Sequence, residues 1–126
     1  MLQSEAMKLF SKFILVSLSI GLLSAGCGES GGDLPDVDCG SVTVVPFTQV
    51  TLLSETCTGC HSSTLAGEAR GGAPASINFD TYDSAKASAE SAVAAVYNGS
   101  MPPGGSDLPT DQKDQLYAWG LCGTPQ

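Results

Sequence analysis

The sequence predicts a small all-α domain of three to four helices with long loops between them. Three segments of the 126-residue chain carry apolar residues at the spacing of a helix face. The one candidate strand, residues 42–45, has no second strand with which to form a sheet. The connections are rich in glycine and proline, as loops are. Together these observations favour an all-α fold over one that contains a sheet.

The first helix is predicted to begin after Pro46, because proline fits the first turn of a helix. Apolar residues then recur at helical spacing and lead directly into a pair of cysteines. They are Phe47, Val50, Leu53 and Cys57, with Leu52 beside them. The loop that follows carries Gly67, Gly71, Gly72 and Pro74.

The middle and last helices have start and stop signals. Asp80 or Thr81 can cap a helix that continues to about Tyr97, where Asn98-Gly99 ends it. Its alanine content favours helix, and one face is apolar. That face consists of Tyr82, Ala85, Ala89, Val93 and Val96. Thr110 is predicted to cap the last helix, whose apolar residues are Leu116, Tyr117, Trp119 and Leu121.

Residues 1–26 are predicted to be a targeting segment of the signal-peptide type. Lys8 and Lys12 supply a positive start, and residues 13–23 form an apolar run that is too short to span a bilayer. Small residues then precede Cys27, which resembles the lipobox of bacterial lipoproteins, in which this cysteine is acylated. The alternative is an ordinary signal peptide that is cleaved nearby. Met1 and Met7 are both candidates for the start of translation.

The remainder divides into a tether, residues 27–38, and a single domain, residues 39–126. The tether is rich in glycine and aspartate and has no apolar periodicity. From Cys27 onward, twelve acidic and three basic residues give a formal charge of −9. Such a chain is not suited to nucleic acid or to anionic lipid headgroups. The charge suits a basic face on a partner protein, or serves solubility alone.

One pentapeptide, Cys57-Thr58-Gly59-Cys60-His61, indicates a chemistry. It is the Cys-x-x-Cys-His attachment signature of covalent c-type haem. The two thiols can form thioether bonds to two vinyl groups on one edge of the porphyrin, and the adjacent imidazole then faces the iron. His61 is the only histidine in the chain, and it stands where an axial ligand is required. We therefore expect one covalent haem c.

The cysteine pair has two other interpretations. Half of a zinc site needs further Cys or His ligands nearby, because structural zinc takes four. A redox dithiol is expected in a thioredoxin-like βαβ context. Neither accompaniment is visible in the sequence, so both remain less favoured alternatives.

The order of elements resembles class I cytochrome c over roughly residues 45–123. The shared features are a helix entering Cys-x-x-Cys-His, a glycine/proline loop, a middle helix, an isolated Met-Pro-Pro-Gly and a final aromatic-bearing helix. The resemblance implies a cytochrome c-like fold whose loops wrap around one haem. It also implies that Met101, the one methionine beyond the targeting segment, is the second axial ligand of the iron.

The resemblance carries three further implications. The backbone carbonyl of Pro74 is expected to accept the Nδ1–H of His61, and Trp119 is expected to pack near the first helix at the haem edge. In this family the first and last helices cross. With Cys27 assigned to lipid and the motif cysteines to haem, Cys39 and Cys122 are predicted to form a disulfide.

The implied function is single-electron transfer without catalysis. With His61 and Met101 both on the iron, no coordination position is open to a substrate, and Met/His ligation raises the reduction potential. We expect an exported, lipid-anchored, periplasm-facing carrier in a bacterial cell envelope, on either membrane. Its partners would be redox proteins with a basic or apolar docking face. The alternatives are a haem-based sensor or ligand-binding module, and a dedicated haem subunit of a larger oxidoreductase.

Overall fold

The computed structural model describes residues 33–105 and 107–126, and this part of the chain is helical and contains no strand. Its helices are α1 (Thr51–Glu55), α2 (Tyr82–Ala87), α3 (Ala89–Tyr97) and α4 (Thr110–Leu121). Three short 3-10 turns add Phe47–Gln49, Cys57–Gly59 and Gly67–Arg70. The all-α prediction is confirmed, and residues 42–45 are not a strand. The predicted signal peptide, Cys27 and the start of the tether lie outside the described residues.

The core lies where α4 packs against α3 and α1. The largest fully buried side chains are Val50, Leu52, Leu53, Val93, Leu116 and Trp119. A glycine in α4 sets the closeness of the α3–α4 contact. A Cβ added at Gly120 would lie 2.6 Å from Val93 Cγ2. Only a residue without a side chain therefore allows the two helix backbones to approach this closely.

Trp119 packs near the start of the first helical segment, but it does not lie on the cleft where the resemblance placed it, at the haem edge. Its ring centroid lies 5.9 Å from that of Phe47, which in turn lies 6.0 Å from the ring of Tyr82. The indole lies within this aromatic group and does not line the cleft described below. Trp119 therefore belongs to the core and not to the wall of that cleft.

The C-terminal residues fasten α4 to the rest of the core. The carbonyl of Pro125 accepts hydrogen bonds from the N–H of Phe47 at 2.9 Å and from Trp119 Nε1 at 2.8 Å. The hydroxyl of Tyr82 donates to the carbonyl of Thr124 at 2.9 Å. The tail thus satisfies the indole N–H that would otherwise be buried without an acceptor.

A disulfide joins Cys39 to Cys122, with the two Cα atoms 5.5 Å apart. This is the pair predicted from the sequence. The bond connects the segment before the first 3-10 turn to the end of α4, so it ties both ends of the described domain to the same side of the core.

Three of the predicted helices differ from those expected. The first does not run unbroken from Pro46 into the cysteine motif: a 3-10 turn at Phe47–Gln49 is followed by the five-residue α1, and Val50 between them is not helical, with φ −77° and ψ 82°. The predicted middle helix is interrupted at Ser88, whose backbone leaves the helical region with φ −113° and ψ 10°. Thr81 caps its first part, with its side chain accepting from Ser84 N–H. Thr110 is the first residue of α4 and not its cap, because Pro109 occupies the cap position and its carbonyl accepts from Lys113 N–H at 3.1 Å. Alanine content is a weak local preference that tertiary packing overrides.

None of the described helices is long and apolar enough to cross a membrane.

Candidate functional site

A tight turn at the end of α1 presents the Cys-x-x-Cys-His motif. The carbonyl of Cys57 accepts hydrogen bonds from the N–H groups of Cys60, at 3.2 Å, and of His61, at 2.8 Å. The Thr58 hydroxyl donates back to the carbonyl of Ser54 in α1 at 2.8 Å. These bonds hold the motif against the helix, and both thiols and the imidazole line one cleft.

His61 is buried, and its ring is fixed on two sides. Nδ1 lies 3.1 Å from the carbonyl oxygen of Ile77, and the ring meets Phe79 edge to face with centroids 5.4 Å apart. An Nδ1–H that donates to this carbonyl selects the tautomer whose Nε2 carries the lone pair. The imidazole is thus oriented with Nε2 as the nitrogen that can bind a metal.

The carbonyl expected at Nδ1 was that of Pro74, and this prediction is wrong. The oxygen of Pro74 is occupied by Arg70 Nη2 at 2.6 Å and by the N–H of Ile77 at 3.1 Å. The second contact closes a turn over residues 74–77, and that turn brings the Ile77 carbonyl to the imidazole. The acceptor of His61 Nδ1 is therefore three residues further along the chain than the resemblance implied.

Residues 62–78, which we call the His61 loop, close on themselves. The N–H of Phe79 donates to the carbonyl of His61 at 2.8 Å. Beside it, the Asp80 carboxylate accepts from the N–H of Ser63 at 3.0 Å and from its hydroxyl at 2.5 Å. These hydrogen bonds hold the pKa of Asp80 below its ordinary value. The charged carboxylate, which follows the end of the loop, is therefore hydrogen-bonded to Ser63 near its start.

The interior of the His61 loop is filled by a charged side chain, Arg70, which is 5% exposed. It donates five hydrogen bonds, and every acceptor is a backbone carbonyl. They are Ser62 at 2.5 Å, Leu65 at 3.4 Å, Ala73 at 3.1 Å, Pro74 at 2.6 Å and Ile77 at 3.0 Å. A planar guanidinium with five N–H groups in a fixed fork can satisfy such a ring of carbonyls, whereas a lysine cannot.

Met101 lines the cleft from the segment that follows α3. Asn98 ends the helix, and Gly99 adopts the left-handed conformation with φ 76° that lets the chain turn back. The N–H of Met101 donates to the carbonyl of Ala95 at 3.0 Å. The Met101 side chain is 36% exposed and lines the same cleft as His61.

The cleft has a volume of about 330 Å³ and an apolar wall. Helices α1 and α3, the His61 loop and the segment around Met101 all contribute to it. Besides the cysteines, His61, Arg70 and Met101, its lining includes Leu52, Ile77, Phe79, Ala92, Ala95, Val96, Pro102, Pro103 and Leu108. Residues far apart in sequence therefore converge on one pocket that contains two thiols, one imidazole and one thioether.

The properties of the cysteines bear on the alternatives. Burial raises the pKa of the Cys57 thiol to about 11. Redox dithiols work through a thiolate and are found with a lowered pKa, so this environment disfavours that chemistry. The described residues contain no group of three or more His, Cys, Asp or Glu side chains placed to hold a metal ion.

Sequence reasoning missed Arg70 and Gly71 as parts of the site. Gly71 has φ +57°, and a Cβ added to it would lie 3.3 Å from Cys60 Sγ. The available signal was an arginine followed by two glycines in a loop with few other charges.

Comparison with protein-family models, with curated proteins and with solved structures finds no match in any of the three.

Proposed function

We propose that this protein is a membrane-anchored monohaem c-type cytochrome that transfers single electrons between redox partners in a bacterial cell envelope. The observation that carries the proposal is the convergence of Cys57, Cys60, His61 and Met101 on one apolar cleft. The first three lie in the Cys-x-x-Cys-His signature of haem attachment, and the fourth comes from a different loop.

The residues of the cleft fit the group. Haem c requires two thiols for thioether bonds, and both motif cysteines are free thiols on the cleft wall. An axial imidazole needs its other nitrogen bound to an acceptor, and Ile77 O lies 3.1 Å from His61 Nδ1. The apolar wall and the small side chains of Ala92 and Ala95 suit a large, flat hydrophobic group. Haem and fold would then be of the class I cytochrome c type.

When bound, haem c supplies a one-electron couple between ferric and ferrous iron. The chain's residues have separate tasks around it. Cys57 and Cys60 would hold it covalently, His61 Nε2 and Met101 Sδ would bind its iron, and the apolar wall would exclude water. With both residues on the iron, the protein would carry electrons and would not bind a substrate at the metal.

Covalent attachment is the first test. The chain is produced with a haem-ligation system and extracted with acid–acetone, and its mass is measured. We expect the colour to stay with the protein and the mass to rise by one haem. Cys57→Ala/Cys60→Ala should lose the haem. The matched control, Cys39→Ala/Cys122→Ala, removes the two cysteines outside the cleft and should retain it. Complete loss of haem from the parent protein on extraction would refute the proposal.

The optical spectrum of the haem-containing protein tests whether Met101 is the distal ligand. Met101→Ala should abolish the weak charge-transfer band of Met–iron ligation, lower the potential and admit imidazole to the iron. Leu108→Ala, which shortens another apolar residue of the same cleft, should keep the band. If the spectrum of Met101→Ala equals that of the parent, another group occupies this position.

A haem-based sensor is the second candidate, and the 36% exposure of Met101 is the observation that favours it. A loosely held distal ligand can be displaced by a gas or small molecule. Carbon monoxide added to the reduced parent protein distinguishes the two. An electron carrier should keep its spectrum, whereas a sensor should form a carbon monoxide complex.

Anchoring through Cys27 rests on the sequence alone, because this residue lies outside the described part of the chain. Stable binding needs more than one acyl chain, since a single chain gives marginal affinity. Cys27→Ser should move the protein from the membrane to the soluble fraction, while Ser30→Ala should not. Equal fractionation of Cys27→Ser and parent would contradict lipidation.

Docking partners are proposed from the charge of −9 after Cys27. A basic partner face would be attracted, and this attraction is screened at about 8–10 Å in ordinary salt. Electron-transfer rates with the native partner should therefore fall as ionic strength rises. A rate that is constant from low to high salt would indicate docking on an apolar rim instead.

A further inference from the structure

Arg70 places a positive charge in the cleft wall, although the hydrogen bonds around it do not require a charge. All five acceptors are neutral carbonyls, and a buried ion surrounded by neutral dipoles still bears a desolvation cost. No neutral side chain offers five N–H donors, but several neutral groups or loop backbone together could satisfy the same carbonyls without that cost. The charge itself therefore calls for an explanation, and Arg70 also lines the cleft.

The guanidinium shares an acceptor with the imidazole of His61. The carbonyl oxygen of Ile77 accepts from Arg70 Nη2 at 3.0 Å and lies 3.1 Å from His61 Nδ1. Contacts of these lengths to one oxygen place the two nitrogens within about 6 Å of each other. The arginine thus acts on the same hydrogen bond that orients the histidine.

Two physical effects of this arrangement have the same sign. A positive charge close to the iron ligand disfavours the oxidised state, because oxidation adds a further positive charge nearby. An Nδ1–H bond to a carbonyl makes an imidazole a stronger donor, which stabilises ferric iron. Arg70 donates a hydrogen bond to the same Ile77 oxygen, and this makes the carbonyl a poorer acceptor for the Nδ1–H of His61. Both effects favour ferrous iron.

We propose that Arg70 is a positioning residue that raises the reduction potential of the bound haem through the shared Ile77 carbonyl and its own charge. This rests on the proposed function, because it requires haem iron on His61. Arg70 meets His61 only at the Ile77 carbonyl oxygen, since every acceptor of its hydrogen bonds is a backbone carbonyl. It acts through the orientation and basicity of the histidine, and a hydrogen bond to such a ligand is an established means of tuning a metal site.

The test compares three substitutions in proteins whose covalent haem has first been verified by mass. Arg70→Met and Arg70→Gln remove the charge, and glutamine keeps an amide that can donate to two of the carbonyls. Arg70→Lys keeps the charge but lacks the fork that holds the carbonyls together. The readout is the ferric-to-ferrous ratio at a fixed ambient potential, from a redox titration followed by absorbance.

Both neutral variants should raise the ferric-to-ferrous ratio by roughly tenfold or more, which is the size of a unit charge acting over about 10 Å in a protein interior. Arg70→Lys should fall between parent and neutral variants. The matched control is Lys86→Met, which removes an exposed cation that lies over the ring of Tyr82, outside the cleft. Its ratio should stay within about threefold of the parent, because solvent screens exposed charges.

The outcomes separate a tuning role from a structural one. If the neutral variants lose stability to urea but keep the ratio of the parent within about threefold, Arg70 only holds the loop, and the proposal is wrong. The proposal is equally wrong if Arg70→Lys shifts the ratio as far as Arg70→Gln, since loop damage and not charge would then be the cause. If Arg70→Met does not fold, Arg70→Gln decides alone. Failure of the parent to hold haem refutes the proposed function instead, and is seen before any titration.

Discussion

The helices and the His61 loop are stabilised by different kinds of interaction. Around α4, buried apolar side chains such as Trp119 and Leu116 pack against α1 and α3, and the disulfide and the C-terminal tail fasten the edges. Residues 62–78 contribute few apolar groups to the core. They are held by the hydrogen bonds that Arg70 donates to backbone carbonyls and by those that Ser63 donates to the Asp80 carboxylate.

In this small domain, one kind of interaction supplies most of the stability and another fixes the geometry of the site. Apolar packing is strong but only weakly directional, so it suits the helices that carry the fold. Hydrogen bonds contribute less net free energy, but they fix positions to fractions of an ångström. They therefore suit the loop that orients His61. We expect damage to the helices to unfold the whole domain, and damage to the loop to act first on the site.

The largest effect is expected from Trp119→Ala. Removing a fully buried indole leaves a cavity and takes one of its two hydrogen bonds from the Pro125 carbonyl, and such changes typically cost about 3–5 kcal/mol. Urea unfolding measures the loss. Hydrogen exchange should accelerate together at the amides of Val93 in α3 and Phe79 at the loop closure. Tyr97→Ala, which removes a half-exposed aromatic ring, is the control and should cost far less.

If exchange accelerates in α3 alone after Trp119→Ala, damage to the helices does not unfold the whole domain, because the loop is then stable without them.

Removing the disulfide is expected to have the next largest effect. Cys39→Ser/Cys122→Ser opens a bond between residues 83 positions apart, and the loss should be about 2–4 kcal/mol, chiefly because the unfolded chain becomes less restricted. The unfolding midpoint in urea should fall. The exchange rate of the Phe79 amide relative to that of Val93 should not change, since the bond lies away from the loop.

A selective loosening of the His61 loop in that double variant would mean that the disulfide supports the site directly and not through the helices.

Gly71→Ala should have a smaller effect, concentrated on the site. The residue is left-handed at φ +57°, a conformation that costs other residues about 1–2 kcal/mol, and the new Cβ would lie 3.3 Å from Cys60 Sγ. We expect a modest fall in stability and a clear fall in the yield of covalent haem. The control is Gly72→Ala, which is also left-handed at φ +89° but has no atom within 4 Å of its new Cβ.

Equal haem yields from the two glycine variants would show that backbone strain, and not the approach to Cys60, is what matters at this position.

The sequence predicted the helices better than the loop, and the two kinds of interaction explain why. Periodicity predicts which residues are buried in a helix, and Ala85, Ala89, Val93 and Val96 are all buried as expected. The break at Ser88 was not predicted, because packing between helices decides where such a break falls.

Within the candidate site, the motif pointed to Cys57, Cys60 and His61, the resemblance to class I cytochrome c pointed to Met101, and all four line the cleft. The partner of His61 Nδ1 was assigned to the wrong carbonyl. Every residue offers a carbonyl, so residue type carries no information about which one faces the ring. Arg70 was missed for a related reason, because five backbone acceptors leave no trace in the sequence.

The smallest expected effect is that of Asp80→Asn, and it depends on pH. Because hydrogen bonds from Ser63 lower the pKa of the folded Asp80 carboxyl, folding favours the charged form. The contribution is fully present above the ordinary aspartate pKa of about 4 and is lost as the pH falls through the lower folded-state value.

The urea midpoint of Asp80→Asn should therefore lie below that of the parent at pH 7, and the two should converge as the pH falls below about 4. Asp83→Asn, in the first turn of α2, is the matched control for removing one negative charge from the same region. Because Asp80 acts on the loop and not on the helices, the amide of Phe79, which closes the loop, should exchange faster in Asp80→Asn than in Asp83→Asn. The amide of Val93 in α3 should exchange at the same rate in both variants. A difference between Asp80→Asn and parent that persists unchanged at pH 3 would show that the side chain's shape, and not its charge, closes the His61 loop.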